Sequence, residues 1–351
     1  MYNIRILINY IQSPVMTHKY ALIDTANTFF RARHVASRNS DPEEKAAFAL
    51  HLTLASVNQV VRNYGIDHVV FCLEGRSFRK DLYTPYKKNR VVDAMSVTEE
   101  EKAENDMFWD TYAKFTEYLT TKTNCSVLRH ENAEADDMIA RFIHLHPEDT
   151  HYIVSTDSDY VQLIAHNVHQ YQGVENYLIT LNGYWKDNGK PVLDKKTKEQ
   201  KMLEDTPEYL LFRKIIRGDA GDNVFTAYPR APEKGSKNRV GIREAFEDRH
   251  KQGFHYNNFM LQRWTDHNGV EHRVRDDFER NTTLIDLTAQ PQEIKDKVDQ
   301  RIRESVRVTT TPQVGVHFMK FCGRYELEKI SQNAEAYAKW LGAPYQGKVH
   351  E

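Results

Sequence analysis

The segment YALIDTANTFF, residues 20–30, is the most informative part of the sequence about the fold. Its short apolar run ends at Asp24, and polar residues follow, which predicts a buried strand with an acid at its carboxyl end. The pattern recurs in HVVFCLEG, residues 68–75, where the acid is Glu74. Because open α/β sheets build their sites at the carboxyl ends of their strands, the two acids predict a site at one sheet edge.

Helices are predicted between the strands. Asp41 begins the first, with Pro42 in its first turn and Gly65 after its end. Thr98, followed by three glutamates, begins a second helix that continues to about residue 121. Strands alternating with helices predict an α/β fold with a mostly parallel central sheet flanked by helices. Two further strands and one further helix are predicted from SVLRH, HYIVSTDSDY and ENAEADDMIARFIHLH.

The character of the chain changes near Pro207. Residues 181–206 are polar, with two glycines and one proline, and predict a hairpin tip or a connecting loop. The rest is predicted to be mainly helical, apart from a strand expected from the β-branched alternation of residues 313–318. The expected organisation is an N-terminal extension, an α/β core and a helical C-terminal subdomain, with bounds 1–17, 18–206 and 207–351.

Charge is more informative by segment than in total. The 351 residues carry 48 basic and 50 acidic side chains, a net charge of −2, whereas residues 76–90 carry six basic side chains and one acid. The three cysteines form no CxxC pair, which argues against a zinc knuckle or a disulfide framework and predicts reduced thiols. No apolar run approaches ~20 residues, so we expect no membrane segment and a cytoplasmic location.

Nine acids follow predicted strands or begin predicted helices. Two carboxylates ~4 Å apart repel by roughly 4 kcal/mol at an effective dielectric constant near 20, so such a cluster requires cations or shared protons. Oxygen ligands without matching cysteine or histidine favour Mg²⁺, with Mn²⁺ as a substitute, and nine acids suit two ions. The nine are Asp24, Glu74, Glu134, Asp136, Asp137, Asp157, Asp159, Asp219 and Asp222.

Other interpretations exist for single motifs. The acids of AEADD complement a helix macrodipole, and those of STDSD form an Asx turn before the next helix. Both motifs at sheet-edge positions in one chain favour a metal site beside a cationic segment, which is the apparatus of phosphodiester hydrolysis. No GxSxG elbow, P-loop or GxGxxG motif after a strand is present, so acyl hydrolysis, NTP hydrolysis and dinucleotide redox chemistry lack their usual signals.

Six ordered strings resemble the 5′ nuclease family, which contains flap endonucleases, the 5′-nuclease domain of bacterial DNA polymerase I and phage 5′→3′ exonucleases. They lie between Tyr20 and Asn223, and the T-even phage ribonuclease H branch is the most similar. The resemblance implies a PIN-like core and a helical subdomain that contains a helix-turn-helix variant. The strings are ALIDTAN, FCLEG, RSFRKDLYTPYKKNR, AEADDMIA, VSTDSDYVQL and IRGDAGDN.

The resemblance also implies roles for single residues. A first metal ion would be held by Asp24, Glu74, Glu134, Asp136 and Asp137, and a second by Asp157, Asp159, Asp219 and Asp222. Arg79 and Lys87 match phosphate-contacting positions and would stabilise developing charge, with Asp136 as a central catalytic acid. Tyr86 would stack on an unpaired base, Lys88 would contact DNA, and residues 76–109 would form an arch or clamp over the site. Glu74 departs from the family, which usually has Asp there.

After GDAGDN the family places a helix-turn-helix variant that grips duplex DNA around a GxGxK string, where K⁺ can bind. Here Gly235, Ser236 and Lys237 match only the end of that string, and its first glycine is replaced. The expected contacts of this segment are to phosphates, without sequence readout. The residues expected to make them are Lys234, Lys237 and Arg239.

These features predict a Mg²⁺-dependent, structure-selective 5′ nuclease that removes RNA primers and 5′ flaps in DNA replication. Its expected substrates are branched or nicked DNA and RNA–DNA duplexes with a 5′ end. We expect a monomer, with a single-stranded DNA-binding protein as a partner and the 1–17 extension dispensable. Two alternatives stay open: a PIN-like single-strand ribonuclease, and a non-catalytic DNA-junction binder.

Overall fold

A computed structural model describes residues 17–31, 41–90, 98–308 and 310–350. Its central sheet has seven strands in the order β3-β2-β1-β4-β5-β6-β7. The first five are mutually parallel, and β6 and β7 are antiparallel additions at one edge. The strands are β1 Lys19–Asp24, β2 His68–Cys72, β3 Ser126–Leu128, β4 Thr150–Val154, β5 Val168–Gln172, β6 Tyr177–Thr180 and β7 Gly183–Lys186.

The sheet confirms the predicted α/β class. Strands β2, β1 and β4 are neighbours and run in one direction, so their carboxyl ends meet at one edge, as predicted. Sequence reasoning missed β5 and β6, and β7 forms within the segment predicted as a hairpin tip or loop.

Thirteen α-helices lie wholly within the described part of the chain, and the two longest have the predicted caps. Asp41 accepts a hydrogen bond from the Glu44 amide, and Gly65 ends that helix in the left-handed region at φ 64°. Thr98 and Glu101 form a capping box. The helices are α1 Thr25–Phe30, α2 Pro42–Tyr64, α3 Arg79–Leu82, α4 Glu99–Lys122, α5 Ala135–Leu145, α6 Pro207–Arg217, α7 Ile242–Glu247, α8 Phe254–Met260, α9 Val274–Ile285, α10 Gln292–Ser305, α11 Val314–Arg324, α12 Glu328–Ser331 and α13 Ala334–Leu341.

The C-terminal residues pack differently from the boundary predicted at Pro207. Phe318 of α11 and Leu341 of α13 are buried in one hydrophobic cluster with Leu54 of α2 and Phe115 of α4. On the other face of the sheet, Ile302 of α10 packs with residues of α5. The last helices therefore complete the α/β core, because each covers apolar surface that the first half of the chain leaves exposed.

A smaller helical unit lies, in the sequence, between β7 and α10. It contains α6 to α9 and a two-stranded hairpin, β8 Arg263–Thr265 and β9 Glu271–Arg273. Tyr209, Ile242 and Phe259 belong to its own buried cluster. The helical character predicted for this region is confirmed.

The strand predicted for residues 313–318 is wrong, since α11 covers Val314–Arg324. Val314, Phe318, Phe321 and Cys322 are its buried residues, and the spacings of three and four among them belong to one helix face. Val314 and Phe318 belong to the alternating pattern and are also four residues apart, so the local sequence fits either a strand or a helix. Packing against α4 and α13 favours the helix.

Two absences bear on the sequence predictions. No helix in the described ranges is long and apolar enough to cross a membrane. The three cysteines, Cys72, Cys125 and Cys322, are buried and unbonded, as expected for core thiols.

Candidate active site

A cleft of about 1070 Å³ opens at the carboxyl edge of β2, β1 and β4. Eight of the nine predicted acids line it, and only Asp137 does not. Four basic side chains share its walls: Lys80, Lys87, Arg90 and Lys214. The sheet edge therefore collects the acids in one place, as the parallel strands predict.

Asp24 lies at the floor of the cleft because β1 ends there and α1 begins. It caps α1 by accepting from the Asn27 amide at 3.2 Å. Its second oxygen accepts from Ser155 Oγ at 3.0 Å and from the Tyr160 hydroxyl at 3.2 Å. These contacts hold the carboxylate in one orientation. Glu74, two residues after β2, accepts from the Ala135 amide at 3.2 Å.

The start of α5 supplies three more acids. Glu134 is the N-cap, and Asp137 accepts from its amide at 3.0 Å. Asp136 lines the cleft and accepts from the Asp137 amide at 2.7 Å. One oxygen from each of the three lies within 4.8 Å of the others, a separation that one metal ion spans.

Asp137 is engaged elsewhere, and this corrects the expected role of Arg79. The Arg79 guanidinium makes a bidentate ion pair with Asp137, at 2.8 Å to each oxygen, and also contacts Glu134 at 3.2 Å. Arg79 is 1% exposed and Asp137 0%. A cation so buried and paired is unavailable to a phosphate, so in this structure Arg79 positions acids.

Tyr86 also differs from its expected role, because its ring is 3% exposed and not open to a base. Its hydroxyl oxygen lies 3.0 Å from Glu134 Oε2 and 3.0 Å from Asp222 Oδ2, so these two acceptors share its single proton. Lys87 bonds Glu134 and lies 3.5 Å from Asp222. The Lys87 amide donates to the Asp222 carbonyl at 2.8 Å, so the cationic segment, residues 76–90, contacts the 219–222 loop through its backbone as well.

The other members of the cationic segment lie nearer to solvent. Arg90 is exposed, lines the cleft and contacts Asp222 at 2.6 Å. Lys88 lies on the same segment but does not line the cleft. Of the predicted clamp, residues 76–90 and 98–109 are described, and residues 91–97 lie outside the described ranges.

A second group of acids lies across the cleft. Asp157 accepts from the Asp159 amide at 2.9 Å, which is the Asx turn considered for this motif, and yet both acids line the cleft. Asp219 accepts from the Gly221 amide at 2.8 Å. Lys214 bonds Asp159 and lies 2.7 Å from Asp219, so an ammonium group balances the charge of this second group.

Crowding raises the proton affinity of the acids nearest the floor. Burial raises the pKa of Asp24 to about 6. Glu74 faces the cleft but is surrounded by protein atoms. Loss of hydration there, together with the negative charges of Asp24 and Glu134, raises the pKa of Glu74 to about 7. Burial and the neighbouring Asp137 and Glu134 raise the pKa of Asp136 well above its usual range. A divalent cation would offset this repulsion.

Nearby cations act oppositely on two other acids. Burial alone would raise the pKa of Glu134, but Lys87 and Arg79 outweigh it and lower that pKa to about 2. Burial likewise opposes ionisation of Asp219, and its bond with Lys214 lowers its pKa. These two carboxylates therefore stay charged at neutral pH.

Lys214, Phe30 and Trp109 are among the cleft residues that sequence reasoning missed. Lys214 looked like one cation of an amphipathic helix, although it precedes Asp219 by only five residues. Phe30 and Trp109 line the cleft with ring centroids 4.5 Å apart, and Trp109 is 54% exposed. One indication for Phe30 was available in the sequence, since it ends the short helix α1, which begins directly after Asp24.

The predicted DNA-gripping residues lie apart from the cleft lining. Lys234, Lys237 and Arg239 are exposed near the start of α7. Glu244 closes their loop by accepting from the amides of Gly235, at 2.9 Å, and Gly241. The K⁺ site expected here stays a prediction.

Residues 19–199, just over half of the chain, match the family described as 5'-3' exonuclease, N-terminal resolvase-like domain. The chain is 27% identical to the flap endonuclease of Escherichia phage T5, over 58% of this chain and 63% of that protein. A 5'-3' exonuclease of Mycoplasmopsis pulmonis is 21% identical over 93% of this chain and 98% of its own. A DNA polymerase I of Rhizobium leguminosarum is 30% identical over 51% of this chain, which spans only 15% of the polymerase.

Solved structures agree in fold. A bacteriophage T5 protein crystallised with metal ions superposes with a TM-score of 0.53 at 20% identity, over 82% of this chain and 99% of that one. A T5 flap endonuclease in a pseudo-enzyme–product complex with DNA and metal ions also gives 0.53. At this identity the likeness shows the fold alone. Since the family model covers more than half of the sequence, the chain belongs to the 5'-3' exonuclease family.

Proposed function

We propose that the protein is a divalent-metal-dependent, structure-selective 5′ nuclease that hydrolyses phosphodiesters near the 5′ end of branched or nicked duplexes. The observation that carries the proposal is the cleft in which eight carboxylates face four basic side chains. Family membership supports the nuclease class, and both T5 structures named above contain metal ions.

The donor set suits hard cations. Every acid offers oxygen, and several have raised pKa values, so the site gains from binding Mg²⁺ or Mn²⁺. When bound, two such ions would orient and activate a water and stabilise the attacking and leaving oxygens. We assign the first to Asp24, Glu74, Glu134 and Asp136, with Arg79 keeping Asp137 beside them. We assign the second to Asp157, Asp159, Asp219 and Asp222.

The protein's own groups would orient the substrate. Lys87 and Arg90 line the cleft, where they would neutralise a phosphate. Lys214 would leave Asp159 and Asp219 when a metal ion binds these two acids. Phe30 and Trp109 offer ring faces to an unpaired base. In-line attack by water would leave a 5′-phosphate and a 3′-hydroxyl.

The biological task we propose is removal of RNA primers and 5′ flaps during DNA replication, by a monomer that works with a single-stranded DNA-binding protein. The test is cleavage by wild-type protein of a labelled 5′ flap duplex, a nicked duplex, an RNA–DNA duplex and a single strand, in Mg²⁺ and in chelator. We expect metal-dependent cuts near the junction. Cleavage of unpaired RNA alone would indicate the PIN-like ribonuclease, and binding without cleavage the junction binder.

Phosphate contacts near α7 give a salt-dependence prediction. Lys237→Ala should weaken flap binding several-fold and reduce the slope of log affinity against log salt by about 1, since one phosphate contact is lost. The measurement is fluorescence anisotropy at several salt concentrations. Lys195→Ala, in an exposed loop, is the control and should change neither quantity. An unchanged slope in Lys237→Ala would remove this residue from the interface.

The raised pKa values give a pH prediction. Asp24 and Glu74 bind protons more tightly when folded, so folding takes up protons, and stability in chelator should fall as pH rises from about 4.5 to 7. Mg²⁺ binds the deprotonated acids and should reverse the loss. We therefore expect Mg²⁺ to raise Tm by at least about 2 °C more at pH 8 than at pH 5.5.

The control for this prediction is the double variant Asp24→Asn with Glu74→Gln, in which both proton-binding groups are absent. Its Tm should respond less to Mg²⁺ and to pH. An equal Mg²⁺ effect at the two pH values in wild type would contradict the assignment of these acids to a metal.

A further inference from the structure

Lys214 of α6 lies between two of the acids that we assign to the second metal ion. Its ammonium group bonds Asp159 and lies 2.7 Å from Asp219 Oδ2. The side chain lines the cleft and is 28% exposed, so it is open to water on one side. Because like charges repel, an ammonium group in this position opposes any cation that approaches the same two oxygens.

Asp219 has one carboxylate oxygen without a backbone donor. Its Oδ1 accepts from the Gly221 amide at 2.8 Å and from the Asp222 amide at 3.2 Å. Its Oδ2 is the atom that faces Lys214. Mg²⁺ binds a carboxylate oxygen at about 2.0–2.1 Å, and two cations cannot lie that close to one oxygen without strong repulsion. An ion that binds Asp219 through Oδ2 therefore has to displace the ammonium group.

The acids that we assign to the first ion are not occupied in this way. Of these four, Glu134 is the only one with an ion pair among the described residues. Asp24, Glu74 and Asp136 line the cleft and have no cation beside them there. Glu134, Asp136 and Asp137 already place one oxygen each within 4.8 Å of one another. The first ion therefore meets carboxylates that lack a cation, whereas the second meets carboxylates that already hold one.

The Lys214 ammonium group can leave its acids while α6 stays intact. A lysine side chain has a flexible four-carbon stem and a strongly hydrated ammonium group. Lys214 lies three residues before the end of α6 at Arg217, and its side chain borders the open cleft. Breaking its two contacts costs free energy that the entering ion has to supply. The second ion therefore binds more weakly than it would bind the same acids without the lysine.

We infer that Lys214 is an internal competitor for the second metal ion: its ammonium group holds Asp159 and Asp219 until a divalent ion displaces it, so the two ions bind with unequal affinity. The inference rests on the proposed two-ion function and adds a control of metal loading to it. Lys214 would set the concentration of divalent metal at which the second ion binds, and hence the concentration at which the cleft is complete for hydrolysis.

The test is the binding of Mn²⁺ alone to the full-length chain, followed by the electron paramagnetic resonance signal of the free ion. Wild type should bind one ion tightly and a second at least about tenfold more weakly. Lys214→Gln removes the charge and keeps a hydrogen-bond donor. It should tighten the second ion at least about tenfold and change the first by less than about threefold. Because the ion itself is measured, the result does not depend on cleavage.

Three further variants test whether the charge at this position is the cause. Lys214→Arg keeps a cation beside the two acids, so the second ion should stay weak. Lys80→Met removes another cation of the cleft wall, one that no recorded ion pair joins to an acid in the described ranges, and should change the second ion by less than about threefold. Lys214→Met is uncharged, should behave like Lys214→Gln, and replaces it in the test if the glutamine variant is poorly folded.

The possible outcomes separate this inference from the proposed function. It is overturned if Lys214→Gln binds the second ion as weakly as wild type, or more weakly, since Lys214 would then leave the ion unaffected or hold the acids in place for it. Equal binding of two ions by wild type, unchanged in Lys214→Gln, would overturn the inference and leave the proposed nuclease standing. No Mn²⁺ bound by either protein at millimolar concentration would overturn both.

Discussion

Replacing Asp136 by Asn should lower flap cleavage by about 10³-fold or more while changing DNA affinity less than about threefold. Asp136 lines the cleft beside Glu134, and we propose it as a metal ligand because neighbouring acids crowd its carboxylate. Asparagine keeps the shape and removes the charge that would hold the metal. DNA affinity should persist, because we propose that duplex binding depends mainly on the exposed cations near α7.

The measurement for Asp136→Asn is single-turnover cleavage in Mg²⁺, beside anisotropy in Ca²⁺ to record binding alone. Asp276→Asn is the matched control, because its side chain is 68% exposed on α9, away from the cleft. It should cleave at the wild-type rate. Full activity in Asp136→Asn would show that the metal assignment is wrong.

The second large effect concerns folding. Arg79→Met should lower the free energy of unfolding by about 3–5 kcal/mol, because it leaves Asp137 charged and buried without its bidentate partner. Arg79 also donates to the Leu284 carbonyl at 3.0 Å, so the change loosens α9 from the start of α5. Glu134 loses a neighbour as well, and cleavage should fall with stability.

A double-mutant cycle with urea denaturation measures this pair. Adding Asp137→Asn to Arg79→Met removes the unpaired charge and keeps an acceptor for the Glu134 amide, so it should restore part of the lost stability. Arg76→Met is the matched control: its pair with Asp81 is exposed and screened by solvent, so the change should leave the urea midpoint close to that of wild type. An equally small change in Arg79→Met would refute the positioning role.

The positions of the acids were predictable because parallel strands repeat one rule. Asp24 ends a strand, and Glu74 and Asp157 each follow one. Neighbouring parallel strands end at one edge, so it was possible to predict that these acids meet without knowledge of packing. The capped helix ends were predictable for a similar reason, since Asp41 and Thr98 bond to amides three residues away.

Contacts distant in sequence were not predictable. Arg79 and Lys87 have the same charge in one segment, and yet Arg79 is buried by Asp137 and Leu284 while Lys87 faces the cleft. The burial of Tyr86 likewise depends on Asp222, 136 residues later. The helical state of residues 314–324 and their return to the core also depend on surfaces that local patterns do not contain.

Anomalous diffraction from crystals grown with Mn²⁺ would show whether the acidic cleft binds divalent metal, which the proposed hydrolysis requires. Our assignment of the metal ligands predicts two anomalous peaks in the cleft, one bounded by Asp24, Glu74 and Asp136 and the other by Asp157, Asp159 and Asp219, with the first lost in Asp136→Asn. An empty cleft at millimolar Mn²⁺, with Lys214 still bonded to Asp159, would contradict it.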